Sequence, residues 1–269
     1  GGTTGMPKGV MSSIGPGVQG LLVSVPPMLG LAPLSELEEI PPLARRLYDD
    51  GEQFAALPAC PLMHATGLAI GAIPALAYGG RVVLLEGRGL DADELWNTVE
   101  REAVNGITVV GDAFARPMLG ALDARPDERD LSSLRLVLSA GAMFSAEVKD
   151  GLLRHAPAAA IVDYIAATEG MMGVSISVAG KPAPTASFRP SPGVVVLDED
   201  DRVVEAGSGR QGILAVPNAT TAGYYKDDDK TARTFRVVDG VRYSFPGDWA
   251  TVEADGTIRY QSPALEREL

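Results

Sequence analysis

Short apolar segments of β type alternate with helical segments between residues 81 and 165, and this alternation restricts the fold more than any other feature. Residues 81–86 (RVVLLE) form a compact β-branched run, which predicts a buried strand. Residues 91–106 predict a helix with Asp91 as its N-cap and Glu94 three residues later. The buried face of this helix would carry Leu95, Trp96, Val99 and Ala103.

Further apolar segments continue the alternation and predict strands at 107–111 (ITVVG), 134–141 (LRLVLSAG) and 160–165 (AIVDYI). A helix over 146–156, with Ser145 as its N-cap, is predicted between the last two of them. Because strands and helices alternate through short connections, the pattern predicts parallel βαβ units and therefore an α/β fold.

From about Gly193 onwards the pattern changes to short strands separated by turn-forming residues such as DEDD and ADG. Such spacing predicts antiparallel hairpins in a small β-barrel-like subdomain. We therefore expect an α/β region over 1–190, a small β-subdomain over 191–260 and a short tail over 261–269.

Charge and cysteine content restrict the possible partners. The formal net charge is −12, which argues against sequence-independent binding to nucleic acid, since that binding depends on Lys and Arg. No apolar run reaches the roughly 18 residues of a membrane span. A single cysteine, Cys60, excludes an intrachain disulfide and fits the reducing cytoplasm, so we expect a cytoplasmic protein in which Cys60 packs as a small buried hydrophobe.

The opening segment, residues 1–10 (GGTTGMPKGV), has the composition of an anion-binding loop. Glycines let backbone N–H groups turn toward an anion, threonine hydroxyls add donors, and Lys8 adds a positive charge. The segment lacks the Gly-Lys-Ser/Thr of a Walker A loop. By itself it fits a flexible loop equally well.

The order of several segments, however, is similar to that of one family. The matching segments are the opening loop, 61–67 (PLMHATG), 138–148 (LSAGAMFSAEV), 167–170 (ATEG), 223–235 (GYYKDDDKTARTF) and 246–258 (PGDWATVEADGTI). Together they resemble the AMP-forming adenylating enzymes, a superfamily with acyl-CoA synthetases, luciferases and the adenylation domains of peptide synthetases. The details look most like a bacterial fatty acyl-CoA synthetase, and the resemblance covers nearly the whole chain.

The resemblance implies that the parent protein is an acid–thiol ligase. It would join a carboxylic acid, fatty or related, to ATP as an acyl-adenylate with release of pyrophosphate, and then transfer the acyl group to coenzyme A. ATP, Mg²⁺ and coenzyme A are the implied cofactor and co-substrates. The oligomeric state is left open.

The resemblance also implies roles for individual residues. The β- and γ-phosphates of ATP would be held by Gly2, Thr3, Thr4, Gly5 and Lys8. Thr168 and Glu169 would be catalytic: Thr168 would contact the α-phosphate and Glu169 would bind Mg²⁺. Asp248 would bind the ribose hydroxyls. Further nucleotide-binding positions would be Ser139, Ala140, Gly141, Ala142 and Tyr164, and the acyl pocket would be lined by His64 and Gly141.

Each of these assignments has a structural alternative. Thr168-Glu169 also fits the start of a helix, residues 139–142 fit an ordinary strand-to-helix turn, and Asp248 fits a hairpin turn after Pro246-Gly247. His64 stands in an apolar segment, and we favour a pocket-lining role for it over proton transfer.

The match to the family fails at particular places. Tyr164 stands one position early, so that Ile165 and Ala166 occupy the places of the family's Tyr-Gly. Ser262-Pro263 stands where the family has the Gly-Arg of its hinge. By the resemblance, residues 1–269 would correspond to neither the first part of the family's large domain nor the C-terminal lid domain with its adenylation lysine. We therefore expect an incomplete large domain with little activity of its own.

Two alternative functions remain open at this point. One is a different adenylating enzyme, for aryl acids or amino acids. An amino-acid enzyme usually places an aspartate in the acyl pocket, and Asp112 is the candidate near 111–117, although it fits poorly because VVGDAF recurs in the acyl-CoA type. The other is a non-catalytic remnant that binds a nucleotide or a lipid.

Overall fold

The computed structural model describes residues 9–87, 89–126, 128–218 and 220–261. The α-helices are α1 Ile14–Val23, α2 Val25–Met28, α3 Ile40–Asp49, α4 Ile73–Ala77, α5 Ala92–Arg101, α6 Gly111–Ala124, α7 Ala146–His155 and α8 Asp228–Thr234. A 3₁₀-helix covers Leu37–Glu39 and a π-helix covers Thr66–Ala72. The strands are β1 Val10–Ser12, β2 Ala55–Pro58, β3 Arg81–Val82, β4 Gly106–Val109, β5 Leu136–Ala140, β6 Ala160–Ala167, β7 Gly170–Ser177, β8 Ser187–Pro190, β9 Val195–Leu197, β10 Gln211–Pro217, β11 Thr221–Tyr224, β12 Phe235–Val238, β13 Val241–Ser244, β14 Trp249–Val252 and β15 Ile258–Gln261.

The chain divides into two compact units. The α/β unit consists of residues 18–163 and 176–185, and the β-rich unit of residues 9–17, 164–175 and 186–261. This division differs from the boundary suggested at residue 190. The reason is strand pairing, because β1 pairs with β11 and β7 pairs with β8 inside the β-rich unit.

Parallel strands form the centre of the α/β unit, in the order β3-β2-β4-β5. Every residue of β2, β4 and β5 is buried, as expected of parallel strands that are covered on both faces. The predicted α/β class with parallel βαβ units is therefore confirmed.

Helices α5 and α7 begin at the predicted caps. The Asp91 carboxylate accepts hydrogen bonds from the backbone N–H groups of Asp93 and Glu94, and the Ser145 hydroxyl accepts one from Val148 N. Helix α5 buries Leu95, Trp96 and Val99 in the core of the unit. It ends at Arg101, so that Ala103 lies beyond the helix, in the left-handed region with φ of 45°.

The predicted buried strand over 81–86 is wrong in length and in burial. The strand β3 contains only Arg81 and Val82, and neither residue is buried. It stands at the end of the parallel strand order and pairs with β2 alone, so no second neighbour extends or covers it. Helix α6, in contrast, follows β4 directly and was not recognised from the sequence.

Antiparallel strands make up most of the β-rich unit, in the order β12-β13-β10-β14-β15-β8-β7, with β9 beside β10. The predicted hairpins are present as β12–β13 and β14–β15. Their core contains Met172, Val196, Leu214, Ala250 and Ile258. In the part of the chain that the structure describes, no helix is both long and apolar enough to cross a membrane.

Candidate active site

The predicted phosphate loop cannot be followed in space, because Gly2, Thr3, Thr4, Gly5 and Lys8 lie outside the described residues. The chain directly after it is fixed in the β-rich unit. Gly9 O accepts a hydrogen bond from Tyr225 N at 2.7 Å, and β1 then pairs with β11.

Thr168 and Glu169 form the tight turn between β6 and β7, and not the start of a helix. Thr168 is exposed, whereas only 8% of Glu169 is accessible to solvent. The Tyr224 hydroxyl donates a hydrogen bond to Glu169 Oε1, and the Thr168 hydroxyl lies 3.2 Å from Oε2. One carboxylate oxygen, Oε1, is therefore hydrogen-bonded to the buried Tyr224 hydroxyl, and the other, Oε2, lies beside the hydroxyl of the exposed Thr168.

The backbone of the Glu169 turn is fixed by two buried side chains, one from the residue after β10 and one from β13. Asn218 Nδ2 donates to Glu169 O, and the Ser244 hydroxyl lies 3.4 Å from the same oxygen. Asn218 Oδ1 also accepts from Thr221 N at 2.8 Å, so that one amide ties the turn to β11. Neither side chain was singled out from the sequence, since each lies far from Glu169 along the chain.

Asp248 follows the Gly247 turn that leads into β14, and its carboxylate accepts a hydrogen bond from the Tyr260 hydroxyl at 2.9 Å. Burial raises the pKa of Asp248, the Tyr260 hydroxyl lowers it, and the negative charge of Glu169 raises it further. Thr168, Glu169 and Asp248 therefore form one polar cluster in the β-rich unit.

Two tyrosines bear on the candidate site: Tyr224 is buried on β11 and contacts Glu169, and Tyr164 is the predicted nucleotide-binding residue on β6. Burial, and then the hydrogen bond to Glu169, raise the pKa of Tyr224 to about 12, so that its hydroxyl keeps its proton and acts as a donor. Tyr164 is half-buried on β6, and burial raises the pKa of its hydroxyl. Its neighbour Ile165 belongs to the hydrophobic core.

The strand-end segment 139–142 lies in the α/β unit, and its residues differ sharply in exposure. Ser139 is fully buried and Ala140 is nearly so, whereas Gly141 and Ala142 are exposed. The Ser139 hydroxyl points inward: it accepts from Gly111 N at 3.2 Å and donates to the Asp163 carboxylate. Within this segment, therefore, Gly141 and Ala142 are the residues open to solvent.

His64 lies close to this segment in the same unit. It is exposed, and its Nδ1 accepts a hydrogen bond from Thr66 N at 3.2 Å. A Cβ atom placed on Gly141 would be 3.5 Å from His64 Cε1, which is van der Waals contact. The structure thus brings His64 and Gly141 together, at the start of the π-helix, a feature that often occurs at functional sites.

A buried ion pair that is connected to segment 139–142 through Ser139 was not identified from the sequence. Lys149 and Asp163 are 1% and 3% exposed, with Lys149 Nζ 3.4 Å from Asp163 Oδ2. Burial raises the pKa of Asp163 to about 6, although Lys149 and the Ser139 hydroxyl lower it. The sequence did contain one indication of this pair, because Asp163 is a single carboxylate within the otherwise apolar segment 160–165 (AIVDYI).

Mg²⁺ would depend on few protein groups. Among the described residues, no group of three or more His, Cys, Asp or Glu side chains is arranged to hold a metal ion. Glu169 and Thr168 supply oxygen atoms side by side, which is the donor type that Mg²⁺ prefers, and Mg²⁺ is commonly bound by one or two carboxylates together with substrate phosphates.

Comparisons with known proteins identify the family of the chain. Residues 1–225 match the family described as AMP-binding enzyme. The chain is 45% identical over 174 residues to a medium/long-chain-fatty-acid/3-oxocholest-4-en-26-oate CoA ligase of Mycobacterium marinum, which covers 62% of this chain and 31% of that protein. It is 36% identical over 270 residues to the medium-chain acyl-CoA ligase Mig of Mycobacterium avium, covering 96% of this chain and 46% of that protein.

Solved structures with the same fold include the N-terminal subdomain of NpsA from Klebsiella oxytoca, with a TM-score of 0.68, 20% identity, and coverage of 96% of this chain and 62% of that one. The amide bond synthetase McbA from Marinactinospora thermotolerans gives a TM-score of 0.67 at 24% identity, with 97% and 47% covered. The chain spans between 31% and 46% of the two curated relatives named above. Since the family match extends over most of the sequence, this chain belongs to the AMP-binding enzyme family.

Proposed function

We propose that the protein to which this chain belongs is an AMP-forming acyl-CoA synthetase for fatty or related carboxylic acids. The observation that carries the proposal is the buried Glu169 carboxylate, fixed at a tight turn beside Asp248, in a chain whose relatives are named as fatty-acid CoA ligases. The reaction would take place in the cytoplasm, in keeping with a single, buried cysteine.

In the first step, a carboxylate oxygen of the acid attacks the α-phosphorus of ATP, and the bond to pyrophosphate breaks. In the second step, the sulfur of coenzyme A attacks the acyl carbonyl, and AMP leaves. Both steps bring anions together, so that catalysis consists mainly of positioning and of charge stabilisation.

The residues of the β-rich unit would bind the polar half of the substrate. Lys8 and the glycine-threonine loop would hold the β- and γ-phosphates, Thr168 the α-phosphate, and Asp248 the ribose hydroxyls. The exposed Thr168 hydroxyl and the Glu169 carboxylate would hold Mg²⁺, which would neutralise charge on the phosphates. Tyr224 and Asn218 would keep this turn in place.

The residues of the α/β unit would contact the adenine and the acyl group. Gly141 and Ala142 would offer exposed backbone to both, and His64 would line the acyl pocket. The Asp112 carboxylate is already occupied, because it lies 2.9 Å from Arg116 Nη2 and accepts from Ser145 N at 2.9 Å. Both carboxylate oxygens thus already have partners within the α/β unit, which favours a carboxylic acid without an amino group over an amino acid.

The test is acid-dependent exchange of pyrophosphate into ATP by the full-length protein, followed by thioester formation with coenzyme A. The panel should contain medium- and long-chain fatty acids, 3-oxocholest-4-en-26-oate, aryl acids and amino acids. We expect exchange with members of the first two classes. Lys8→Ala and Glu169→Gln should each lower kcat/KM by about 100-fold or more, since each removes a charge that acts on the phosphates.

Asp150→Asn is a matched control, because Asp150 forms an exposed ion pair with Arg154 on α7. Its activity should equal that of the unmodified protein. Exchange with amino acids or aryl acids alone would instead indicate another adenylating enzyme. Nucleotide binding without exchange on any acid would indicate a non-catalytic binding protein, and the ligase proposal would be wrong.

A further inference from the structure

We propose that Asp163, paired with Lys149, is a positioning residue that fixes the backbone of the exposed segment 141–143 through Ser139 and Gly111. The contribution of that segment to substrate binding rests on the proposed function. The contacts themselves lie entirely within the α/β unit.

The chain of contacts begins at a buried ion pair. Lys149 Nζ lies 3.4 Å from Asp163 Oδ2 and 5.5 Å from the centre of the Phe144 ring. The distance to Asp163 is long for a charged hydrogen bond, and Lys149 Nζ has no hydrogen-bond partner among the residues that the structure describes. Its attraction to Asp163 is therefore mainly electrostatic, and it keeps the carboxylate on the side of the strand where Ser139 lies.

The second step passes through the Ser139 hydroxyl. It donates to Asp163 and accepts from Gly111 N at 3.2 Å, so both of its hydrogen-bonding functions are used inside the core. Ser139 is fully buried, which makes a wrong orientation of this hydroxyl costly, because either Asp163 or Gly111 would lose its partner.

The third step connects Gly111 to the exposed segment. Gly111 has φ of +52°, and a Cβ atom there would collide with the carbonyl oxygens of Ala142 and Met143. The next residue, Asp112, donates its N–H to Met143 O at 2.8 Å. The position of the 142–143 backbone thus depends directly on where the 111–112 backbone is held.

The contacts then close into a ring. Asp112 Oδ1 accepts from Ser145 N at 2.9 Å and lies 3.1 Å from the Ser145 hydroxyl. Ser145 caps α7, and Lys149 lies one turn further along that helix. A continuous set of polar contacts therefore runs from Ser139 through Asp163, Lys149 and Ser145 to Asp112 and Gly111, and the backbone of Met143 is joined to it by the hydrogen bond from Asp112 N.

A buried ion pair is a poor source of stability, because the cost of removing two charges from water offsets most of their attraction. The carboxylate of Asp163, the Ser139 hydroxyl and the N–H of Gly111 are nevertheless hydrogen-bonded to one another in sequence, and buried contacts of this kind select one arrangement of the groups that they connect. The exposed part of the segment carries no polar side chain of its own, since it reads Gly141-Ala142-Met143. We therefore attribute the geometry of this segment to the buried groups that contact its backbone, through Gly111 and Asp112.

The first test is amide hydrogen exchange in the full-length protein with Asp163→Asn and Ser139→Ala. Ser139→Ala keeps the ion pair and removes only the connecting hydroxyl, so it remains informative if Asp163→Asn folds poorly. We expect exchange at the amides of Gly111 and Asp112 to accelerate about 10-fold or more in both variants, while the amides of β2 keep their rates. Asp150→Asn serves as the matched control on α7 and should change neither.

The second test measures pyrophosphate exchange in the same variants. A displaced segment should lower kcat/KM for ATP and acid by about 10- to 100-fold, measured at a temperature at which each variant is fully folded. Unchanged exchange rates at Gly111 and Asp112 in both variants would overturn the positioning role. If the unmodified protein shows no pyrophosphate exchange, the proposed function fails, while hydrogen exchange still decides the role of Asp163.

Discussion

At the residue scale, the contact between Tyr224 and Glu169 shows how the turn after β6 is held. Tyr224 is 3% exposed, and its hydroxyl is the donor to Glu169 Oε1. Tyr224→Phe would leave a buried carboxylate oxygen without this partner, at an expected cost of about 1–3 kcal/mol in the free energy of unfolding. Urea denaturation of the full-length protein measures this loss.

The adjacent residue provides the control for that measurement. Tyr225 is 61% exposed, so Tyr225→Phe removes a hydroxyl that water already solvates. We expect its free energy of unfolding to stay within about 0.5 kcal/mol of the unmodified protein. Equal stability of the two variants would show that the Tyr224 hydroxyl contributes nothing to the Glu169 turn.

Asp163 should make stability depend on pH in an unusual direction. Burial raises its pKa from 3.8 to about 6, so the folded protein holds this proton more tightly than the unfolded chain does. Its contribution to stability is therefore full below about pH 4 and is lost as the pH rises through about 6. At 1.36 kcal/mol for each pKa unit, the loss is about 3 kcal/mol.

Asp163→Asn removes this titration and isolates it from that of the other carboxylates. The free energy of unfolding of the variant, relative to the unmodified protein, should rise by about 3 kcal/mol between about pH 4 and about pH 7. Denaturation curves of both proteins at the two pH values give this difference directly. A difference that is the same at both values would contradict the raised pKa.

At the element scale, the π-helix contains Gly67, a position where any larger residue would force the neighbouring backbone to move. A Cβ atom on Gly67 would lie 2.5 Å from Pro61 O and 2.9 Å from Cys60 O, both of which are backbone atoms. Gly67→Ala should therefore destabilise the protein by about 1–3 kcal/mol, because the backbone before the helix must shift. Thermal unfolding of the full-length protein measures the change.

A second helical glycine offers the opposite expectation. Nothing lies within 4 Å of a Cβ atom placed on Gly20 in α1. Gly20→Ala should raise the melting temperature, by an amount that corresponds to about 0.5–1 kcal/mol, because alanine loses less backbone entropy on folding. A stabilised Gly67→Ala variant would contradict the close approach that the structure shows.

The elements themselves were predicted unevenly. Helices α5 and α7 could be recognised because a capping side chain, Asp91 or Ser145, stands directly before an amphipathic segment. The prediction of a buried strand over 81–86 was wrong because a β-branched composition does not distinguish a central strand from an edge strand. From the sequence, Thr168-Glu169 could equally have begun a helix. The residues that follow, which form β7, show no periodicity that distinguishes a helix from a strand.

At the scale of the whole molecule, the α/β class and the later antiparallel hairpins follow from local patterns alone. The grouping of residues 9–17 and 164–175 with the β-rich unit does not. That grouping depends on pairs such as Val10 with Tyr224 and Val174 with Arg189. The strands β1 and β11 are far apart in the sequence, and they pair only after the long intervening segment has folded back. No local sequence pattern predicts that pairing.

The candidate site divides in the same way. The family motifs indicate Thr168, Glu169, Asp248 and the 139–142 segment as residues worth examining. They do not reveal that Ser139 turns inward to Asp163, or that Asn218 and Tyr224 hold the Glu169 turn from 49 and 55 residues away. The pairing itself had no signal in spacing or composition, because a buried hydrogen bond depends on which segments become neighbours.

By itself, the sequence therefore determined the alternation of strands and helices, their caps, and the family to which the chain belongs. These properties depend on side chains within a few turns of each other, where periodicity and capping act. Only the tertiary structure decided which residues of the candidate site lie open to solvent and which support them from the core. Burial and hydrogen bonding between distant segments decide that division, as in the 139–142 segment, where Ser139 is enclosed and Gly141 is open to solvent.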